Sequence, residues 1–278
     1  MSKVRLIALD LDGTTLDSSK QVSEKNRNAI INAVKNGVHV CIASGRAFDT
    51  LPSVVTEIPG IEYAITSNGA AVYEIRDKKC LRSYKLTAES VKTILELTKD
   101  MPVTYEAFIE GRAYAGSEYI HNPVKFGATK EAIHYIQTTR TLIDDITGFI
   151  RQHVNELDSI DIIVKDADMK EKVCDAIYKE TQDVYITSSV KQLVEISYKD
   201  AGKKSGVKFL ADRLGVSKEE IAAFGDADND KDMIEYAGYG IAVANASASL
   251  KEKADYITLS NDEDGIAYAF ANILDIKS

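Results

Sequence analysis

The sequence predicts an α/β fold: a Rossmann-like, doubly wound parallel sheet covered by helices on both faces, with a second α/β domain inserted into it. Three observations carry this expectation. Short Val- and Ile-rich runs alternate with amphipathic stretches, the pattern of parallel strands joined by crossover helices. The alternation breaks between about residues 84 and 198, where helices and strands follow in another order. A chain of 278 residues also exceeds the size at which one hydrophobic core stops growing, so a second core is expected.

In chain order, Val4 to Asp10 reads as the first strand and Ser23 to Asn36 as a helix. Strands are then expected at Val38 to Ser44 and Tyr63 to Thr66. The middle segment opens with a helix, Ala88 to Lys99, and a hairpin, Thr104 to Ile109 with Arg112 to Ala115, turning at Glu110-Gly111. It continues with a strand at Asp161 to Lys165, a helix at Met169 to Thr181, and a strand pair at Val184 to Thr187 and Gln192 to Ile196. The first pattern then resumes: helix Lys203 to Leu214, strand Ile221 to Gly225, helix Asp230 to Tyr236, and weaker strands at Gly240 to Val243 and Tyr256 to Leu259. The expected division is therefore a main domain of residues 1–83 and 199–278 and an inserted domain of residues 84–198.

Composition excludes several functions. The apolar fraction of 45% is that of an ordinary globule. A net charge of -9 and a pI near 5.1 argue against nucleic acid, whose binding rests on many Lys and Arg side chains. A small anion could still bind at a local positive site. Cys41, Cys80 and Cys174 are odd in number and widely spaced, so they read as reduced thiols, with neither a disulfide framework nor a zinc site. After a short polar lead, the apolar run Val4 to Leu9 is too short for a signal segment or a membrane span, so cytoplasmic residence and no membrane partner are the expectation. Nothing in the sequence bears on oligomeric state.

Four strand ends of the main sheet finish in polar residues: Asp10-Leu11-Asp12-Gly13-Thr14, Ser44-Gly45-Arg46, Ser67-Asn68-Gly69-Ala70, and Gly225-Asp226-Ala227-Asp228-Asn229-Asp230. Ligands of open α/β sheets bind outside the carboxyl ends of the strands, so these segments can converge on one crevice. Taken singly, Asp12-Gly13 is an ordinary turn and Asp10 a possible helix N-cap. The acidic run from Asp226 is not a calcium loop, because its sixth and twelfth positions are Lys231 and Ala237 where Gly and Glu are needed. Gly202-Lys203-Lys204-Ser205 lacks the earlier glycine and the Lys-Ser adjacency of a P-loop. His39 reads as a strand residue, and His121, His134 and His153 as scattered surface residues without metal-ligand spacing. Tyr105, Tyr114, Tyr119 and Tyr135 of the inserted domain read as packing residues rather than a substrate entrance.

Taken together, the segments resemble the haloacid dehalogenase superfamily, and within it the Cof-type sugar phosphatases, over essentially the whole chain. Asp10 to Thr14 matches the DxDGT motif, Ser44-Gly45-Arg46 the second motif, Lys203 the third, and Gly225-Asp226-x-x-Asn229-Asp230 the fourth, in the family's order. Ser67 to Ala70 and Asn261-Asp262-Glu263-Asp264-Gly265 are also similar to Cof-type sequence. Two positions depart from the pattern: Lys204 follows Lys203 where glycine is usual, and Thr15 stands where Leu is common. Register with the helix Val207-Lys208-Phe209-Leu210 selects Lys203 as the third-motif lysine.

The resemblance implies a Mg²⁺-dependent phosphatase acting through an aspartyl-phosphate on Asp10, with the inserted domain as a cap that closes over the crevice and chooses the substrate. The chemistry demands such a set on its own terms. A carboxylate approaching a phosphate dianion is repelled by roughly 4 kcal/mol per pair of unit charges at about 4 Å and an effective dielectric near 20, so a cation and a lysine are required. Asp10, Asp226 and the backbone carbonyl of Asp12 would be hard oxygen ligands for Mg²⁺, and Asp230 would steady that shell or Lys203. Asp10 would be the nucleophile and Asp12 the general acid and base. Ser44, the Gly45 amide and Asn229 would hold phosphoryl oxygens, with Lys203 offsetting charge and Arg46 and Asn68 facing the crevice. The implied partner is a phosphorylated small molecule. Sugar phosphates come first, with pyridoxal phosphate and a flavin-pathway phosphate as other candidates. A phosphomutase of the same superfamily is the enzymatic alternative, and a protein that only senses a phosphorylated metabolite is the non-catalytic one.

Overall fold

The computed structural model describes residues 4–276; the polar lead at residues 1–3 lies outside the described residues. Its strands are, in order, β1 (Leu6–Leu9), β2 (His39–Ala43), β3 (Ile61–Thr66), β4 (Ala71–Glu74), β5 (Lys79–Ser83), β6 (Thr104–Ile109) and β7 (Arg112–Gly116). These are followed by β8 (Arg140–Ile143), β9 (Leu157–Ile163), β10 (Val184–Thr187), β11 (Leu193–Tyr198), β12 (Ile221–Gly225), β13 (Tyr239–Ala242) and β14 (Tyr256–Ile257). The chain divides into two compact units, one of Met1–Gly45, Leu51–Arg82 and Gly202–Ser278, the other of Arg46–Thr50 and Ser83–Ala201. The short segment Arg46–Thr50 thus packs with the inserted chain although it lies among residues of the first unit in sequence.

The first unit is α/β, built on one eight-stranded sheet in the order β14-β13-β12-β1-β2-β3-β4-β5. β1 is central, buried along its whole length and parallel to both β2 and β12. That two-sided burial is why Leu6–Leu9 is continuously apolar rather than alternating. The chain proceeds from β1 to one side through β2 and β3 and later returns to the other side at β12, so the carboxyl end of β1 is the point where strand order reverses. Helix Lys203–Leu214 lays Val207, Leu210 and Ala211 into the core formed with Leu6, Ala8, Cys41, Ala43 and Ile65. β4 and β5 extend the sheet without having been signalled by the sequence. β5 is exposed or half-buried throughout, and an edge strand of that kind shows no clean hydrophobic period.

The second unit carries a six-stranded sheet, β10-β11-β9-β6-β7-β8, antiparallel except for the β7–β8 pair. One face is covered by the helices Ala88–Thr98, Ile146–Gln152 and Ala167–Glu180, which bury Ile94, Ile150 and Val173 against Tyr105, Ala107, Ile160, Ile162, Val194 and Ile196. The residues between these in each strand point to the opposite face. The strand expected at Asp161 to Lys165 begins instead at Leu157 and ends at Ile163. Its polar Asp158, Ser159 and Asp161 are buried, which hid the strand's start from a hydrophobic reading. Strand β8 and the helices Ser117–His121, Ala132–Thr139 and Ile146–Gln152 likewise had no counterpart in the sequence pattern. Tyr105 and Tyr114 belong to the helix-side core, while Tyr119 and Tyr135 pack in a smaller cluster with Ala115, Ile120 and Ile163. All three cysteines are free thiols. No helix among the described residues is long and apolar enough to cross a membrane.

Candidate active site

Asp10 immediately follows β1 and Asp226 immediately follows β12. The two strands run parallel in the register Leu9↔Phe224, so both carboxylates leave the sheet side by side at its carboxyl edge. The Asp10 amide donates to the Phe224 carbonyl at 3.1 Å. The buried Thr15 hydroxyl donates to the Asp10 carbonyl at 2.5 Å, which gives the threonine at that position a structural task. Gly13, at φ 83°, lets the chain turn beneath Asp226: a Cβ there would stand 2.5 Å from the Asp226 Oδ2.

Lys203 is the first residue of helix Lys203–Leu214 and is fully buried. Its Nζ donates to the Asp10 Oδ1 at 2.7 Å and to the Asp230 Oδ1 at 2.6 Å. Burial disfavours the ammonium, but Asp10 and Asp230 outweigh it and push its pKa above the ordinary lysine value. Lys204 points elsewhere; its amide donates to the Asp232 Oδ2 at 3.1 Å and its ammonium lies 5.8 Å from the Tyr236 ring centroid.

The second oxygen of Asp230 accepts from the amides of Asp226 and Ala227 at 2.9 and 3.1 Å. Both Asp230 oxygens are therefore engaged by protein donors. Asp10 differs, because its Oδ2 is buried with no hydrogen-bond partner. Burial and the neighbouring Asp230 raise the Asp10 pKa well above the carboxylate range despite Lys203. The same two causes hold the Asp226 pKa at about 7, offset in part by Lys203 and by the Thr14 hydroxyl, which lies 3.2 Å from the Asp226 Oδ1. Burial also lifts Asp232 to about 6.

Oxygens of Asp10, Asp226 and Asp230 lie within 4.8 Å of one another. Hard carboxylate donors, one of them orphaned in the interior, with too little positive charge nearby, fit an oxygen-preferring divalent cation. Asp10 and Asp226 have the free lone pairs for it, and Asp230 holds the Asp226–Ala227 backbone and Lys203 in place.

Ser44 is buried at the carboxyl end of β2. Its amide donates to the Ile65 carbonyl at 2.9 Å, and its carbonyl accepts from the Asn68 amide at 3.1 Å. Asn68, at φ 50°, also accepts from the Asn229 Nδ2 on its side-chain oxygen at 3.0 Å and from the Gly202 amide on its carbonyl at 2.9 Å. Gly69 has to be glycine here, since a Cβ would fall 1.9 Å from the Gly202 carbonyl oxygen. The loop Ser67–Gly69 therefore binds the end of β3 to the start of the helix that carries Lys203. Among the residues expected from the sequence, Asp10, Ser44, Asn68, Lys203, Asp226, Asn229 and Asp230 belong to these linked strand ends, and Gly45 closes the first segment of the same unit.

Two expected residues stand apart. Arg46 is grouped with the second unit, where its guanidinium lies 4.2 Å from the Tyr135 ring centroid and donates to the Thr50 carbonyl at 3.1 Å. The Asp12 side chain is 42% exposed and pairs with Lys20 at 3.1 Å. Thr14, Thr15 and Asp232 were not singled out by sequence. The first two lie in or beside the DxDGT pattern and the third in the acidic run, where only geometry separates participants from bystanders.

Comparison with known proteins shows the family. Residues 7–270 match the haloacid dehalogenase-like hydrolase family. The chain belongs to the haloacid dehalogenase superfamily, in its Cof-type group. Its similarity to other members of the superfamily runs end to end. Phosphatase YwpJ of Bacillus subtilis is 32% identical over 98% of this chain and 100% of the relative. A second B. subtilis protein, 5-amino-6-(5-phospho-D-ribitylamino)uracil phosphatase YwtE, is 29% identical over 98% of each chain. The solved structure of a haloacid dehalogenase-like hydrolase from B. subtilis superposes with a TM-score of 0.84 at 29% identity, covering 98% of this chain and 100% of that one.

Proposed function

We propose that Asp10 is the nucleophile of a Mg²⁺-dependent hydrolysis that releases phosphate from small phosphorylated metabolites, sugar phosphates first among them. The chain is a phosphatase, a phosphoric monoester hydrolase of its superfamily. Its metal, its covalent route and its substrate are what is proposed. One observation carries the reading: the Asp10 carboxylate has one oxygen held by Lys203 and the other buried without a partner, beside Asp226. An oriented, half-satisfied carboxylate suits both attack and coordination.

Mg²⁺ held by Asp10, Asp226 and the Asp12 carbonyl would neutralise the charge of nucleophile and phosphate. Asp10 then bonds to phosphorus as the alcohol oxygen departs, and Asp12 supplies that oxygen's proton. Water next attacks the acyl phosphate, Asp12 takes its proton, and Asp10 is regenerated with inorganic phosphate. Asp12 must first leave Lys20, an exposed ion pair of a kind that contributes little. Ser44 and the Gly45 amide would hold the phosphoryl oxygens. Asn229 gives one amide hydrogen to Asn68 and retains the other for phosphate. The unit Ser83–Ala201 would choose among substrates. A second substrate reading, a phosphorylated ribitylaminouracil, is favoured by the activity for which relatives such as YwtE are named.

The test is phosphate release, with and without Mg²⁺, over a panel containing hexose phosphates, pyridoxal phosphate and the ribitylaminouracil phosphate. Release that disappears with chelator and with Asp10→Asn is expected. Transfer of phosphate between sugars without free phosphate would replace the hydrolase reading by a phosphomutase one.

A further inference from the structure

Helix Lys203–Leu214 begins where its own chain cannot cap it. The first turn of a helix leaves amides without an intrahelical acceptor, and a Ser, Thr, Asp or Asn side chain at the preceding position ordinarily accepts from one of them. That position here is Gly202, at φ 104° and without a side chain to offer. Any other residue at that φ would be strained. The same backbone is pressed against the Ser67–Gly69 loop: the Gly202 amide donates to the Asn68 carbonyl at 2.9 Å, and a Cβ on Gly69 would stand 1.9 Å from the Gly202 carbonyl oxygen.

The cap comes instead from Asp232, 28 residues beyond Lys204. Asp232 lies in the first turn of helix Lys231–Tyr236, and its Oδ2 accepts from the Lys204 amide at 3.1 Å. Lys204 is the second residue of its helix, so this is the bond that an N-cap side chain would make, and the carboxylate meets the positive end of the helix dipole. The Asp232 Oδ1 is buried with no hydrogen-bond partner. An oxygen left in that state is costly, so the bond made by its neighbour has to be worth keeping.

Two residues earlier, the Asp230 Oδ1 accepts from the Lys203 Nζ at 2.6 Å. The short segment Asp230 to Asp232 therefore grips the lysine twice, at its ammonium through Asp230 and at its backbone through the amide that follows it. Such a hold fixes both ends of the side chain whose Nζ stands 2.7 Å from the Asp10 Oδ1. A displacement of about 1 Å in such a constellation can cost about a hundred-fold in rate.

We propose that Asp232 is a positioning residue, which caps helix Lys203–Leu214 from outside and thereby sets the Lys203 ammonium against Asp10. This deepens the proposed function and rests on it for the part that Lys203 plays. The role needs an acceptor oxygen at position 232 and not a charge.

The experiment compares wild type with Asp232→Ala and Asp232→Asn on 4-nitrophenyl phosphate with Mg²⁺, with circular dichroism to confirm that each is folded. Asp232→Ala should lower kcat by about ten-fold or more. Asp232→Asn, whose amide oxygen can take the same hydrogen bond, should recover most of that loss. Full activity in Asp232→Ala, or equal losses in the two variants, would overturn the proposal. A cap that served stability alone is told apart by the ammonium itself, which burial shields from exchange with solvent. In protein labelled with ¹⁵N-lysine, the Lys203 ammonium signal, assigned by its absence from Lys203→Arg, should shift in Asp232→Ala and return towards the wild-type position in Asp232→Asn. A signal that stays in place in Asp232→Ala would leave Asp232 a structural cap and end the proposal. If wild type releases no phosphate from the ester, the proposed chemistry fails on that substrate, and the same spectra decide the positioning on their own.

Discussion

Each unit sets three carboxylates beside one cationic side chain, yet the two arrange them differently. In the first, Asp10, Asp226 and Asp230 stand on loops beyond strand ends and gather their oxygens within 4.8 Å. In the second, Glu106, Asp161 and Glu195 stand within strands, and sheet register keeps them apart. Loops at the carboxyl ends of parallel strands can aim side chains at one point, whereas residues inside a sheet inherit the spacing of its strands. Concentrated negative charge calls for a metal and a lysine, and distributed negative charge offers a series of acceptors. The cations differ to match. Lys203 is a point charge between two carboxylates, and Arg140 is a planar fork on one.

The sharpest way to break this contrast is Asp10→Asn. The amide is nearly isosteric but a poor nucleophile, so turnover on every substrate should fall by more than about a thousand-fold. Asp161→Asn should leave turnover of 4-nitrophenyl phosphate within about two-fold of wild type. Steady-state phosphate release measures both. If the two variants lose equally on that ester, the assignment of the chemistry to the first cluster is wrong.

Lys203→Ala comes next. It strips the shared cation from Asp10 and Asp230 in the interior, and breaking a buried pair typically costs about 3–5 kcal/mol. Urea unfolding should show a loss of that order together with loss of activity. Lys204→Ala, whose ammonium rests against a ring at the surface, should stay within about 0.5 kcal/mol. The reverse order would transfer the motif role to Lys204.

A smaller effect separates the clusters by metal. A ligand that binds only the folded state stabilises it by about 2.7 kcal/mol at a hundred times its Kd, so Mg²⁺ should raise the melting temperature of wild type. Asp226→Ala should abolish that rise, and Asp161→Asn should preserve it. Calorimetry with Mg²⁺ against chelator decides. A rise that survives Asp226→Ala would put the ion elsewhere.

The first cluster was legible in the sequence and the second was not, for a physical reason. Asp10, Ser44 and Asp226 fall at the ends of apolar runs, where the change from apolar to polar marks the strand terminus and the ligand edge together, whereas Lys203 opens a helix and was found by the resemblance and by register with that helix. The strands themselves could be read because burial on both faces leaves an unbroken apolar run, as at Leu6–Leu9. Asp161 interrupts a strand from within, so it looked like the start of that strand rather than the middle of a buried row. Register across β6, β9 and β11 is a long-range property, and no local pattern reports it. The membership of Arg46–Thr50 in the second unit was hidden in the same way, since it depends on packing against Phe108 and Ala113 far along the chain.

The smallest expected effect concerns Asp161 and pH. The groups around it are Glu106 on β6, Glu195 on β11, Arg140 on β8 and the Tyr119 hydroxyl, whose own pKa is raised by burial and by these acids. Asp161 has a folded-state pKa raised by burial and the two glutamates, whereas in the unfolded chain it titrates near the ordinary value of about 3.9. Between those two pKa values the folded state binds more protons than the unfolded state. Its contribution to stability is therefore complete below about pH 4 and declines as pH rises towards the folded pKa, by at most about 1.4 kcal/mol per pH unit. Asp10 and Asp226 are raised as well and give wild type a slope of the same sign, so the informative quantity is a difference. Asn at position 161 does not titrate. The gap in urea-unfolding free energy between Asp161→Asn and wild type should widen in favour of the variant from pH 4 upwards, then become constant. Parallel curves would mean that Asp161 is solvated or paired in solution.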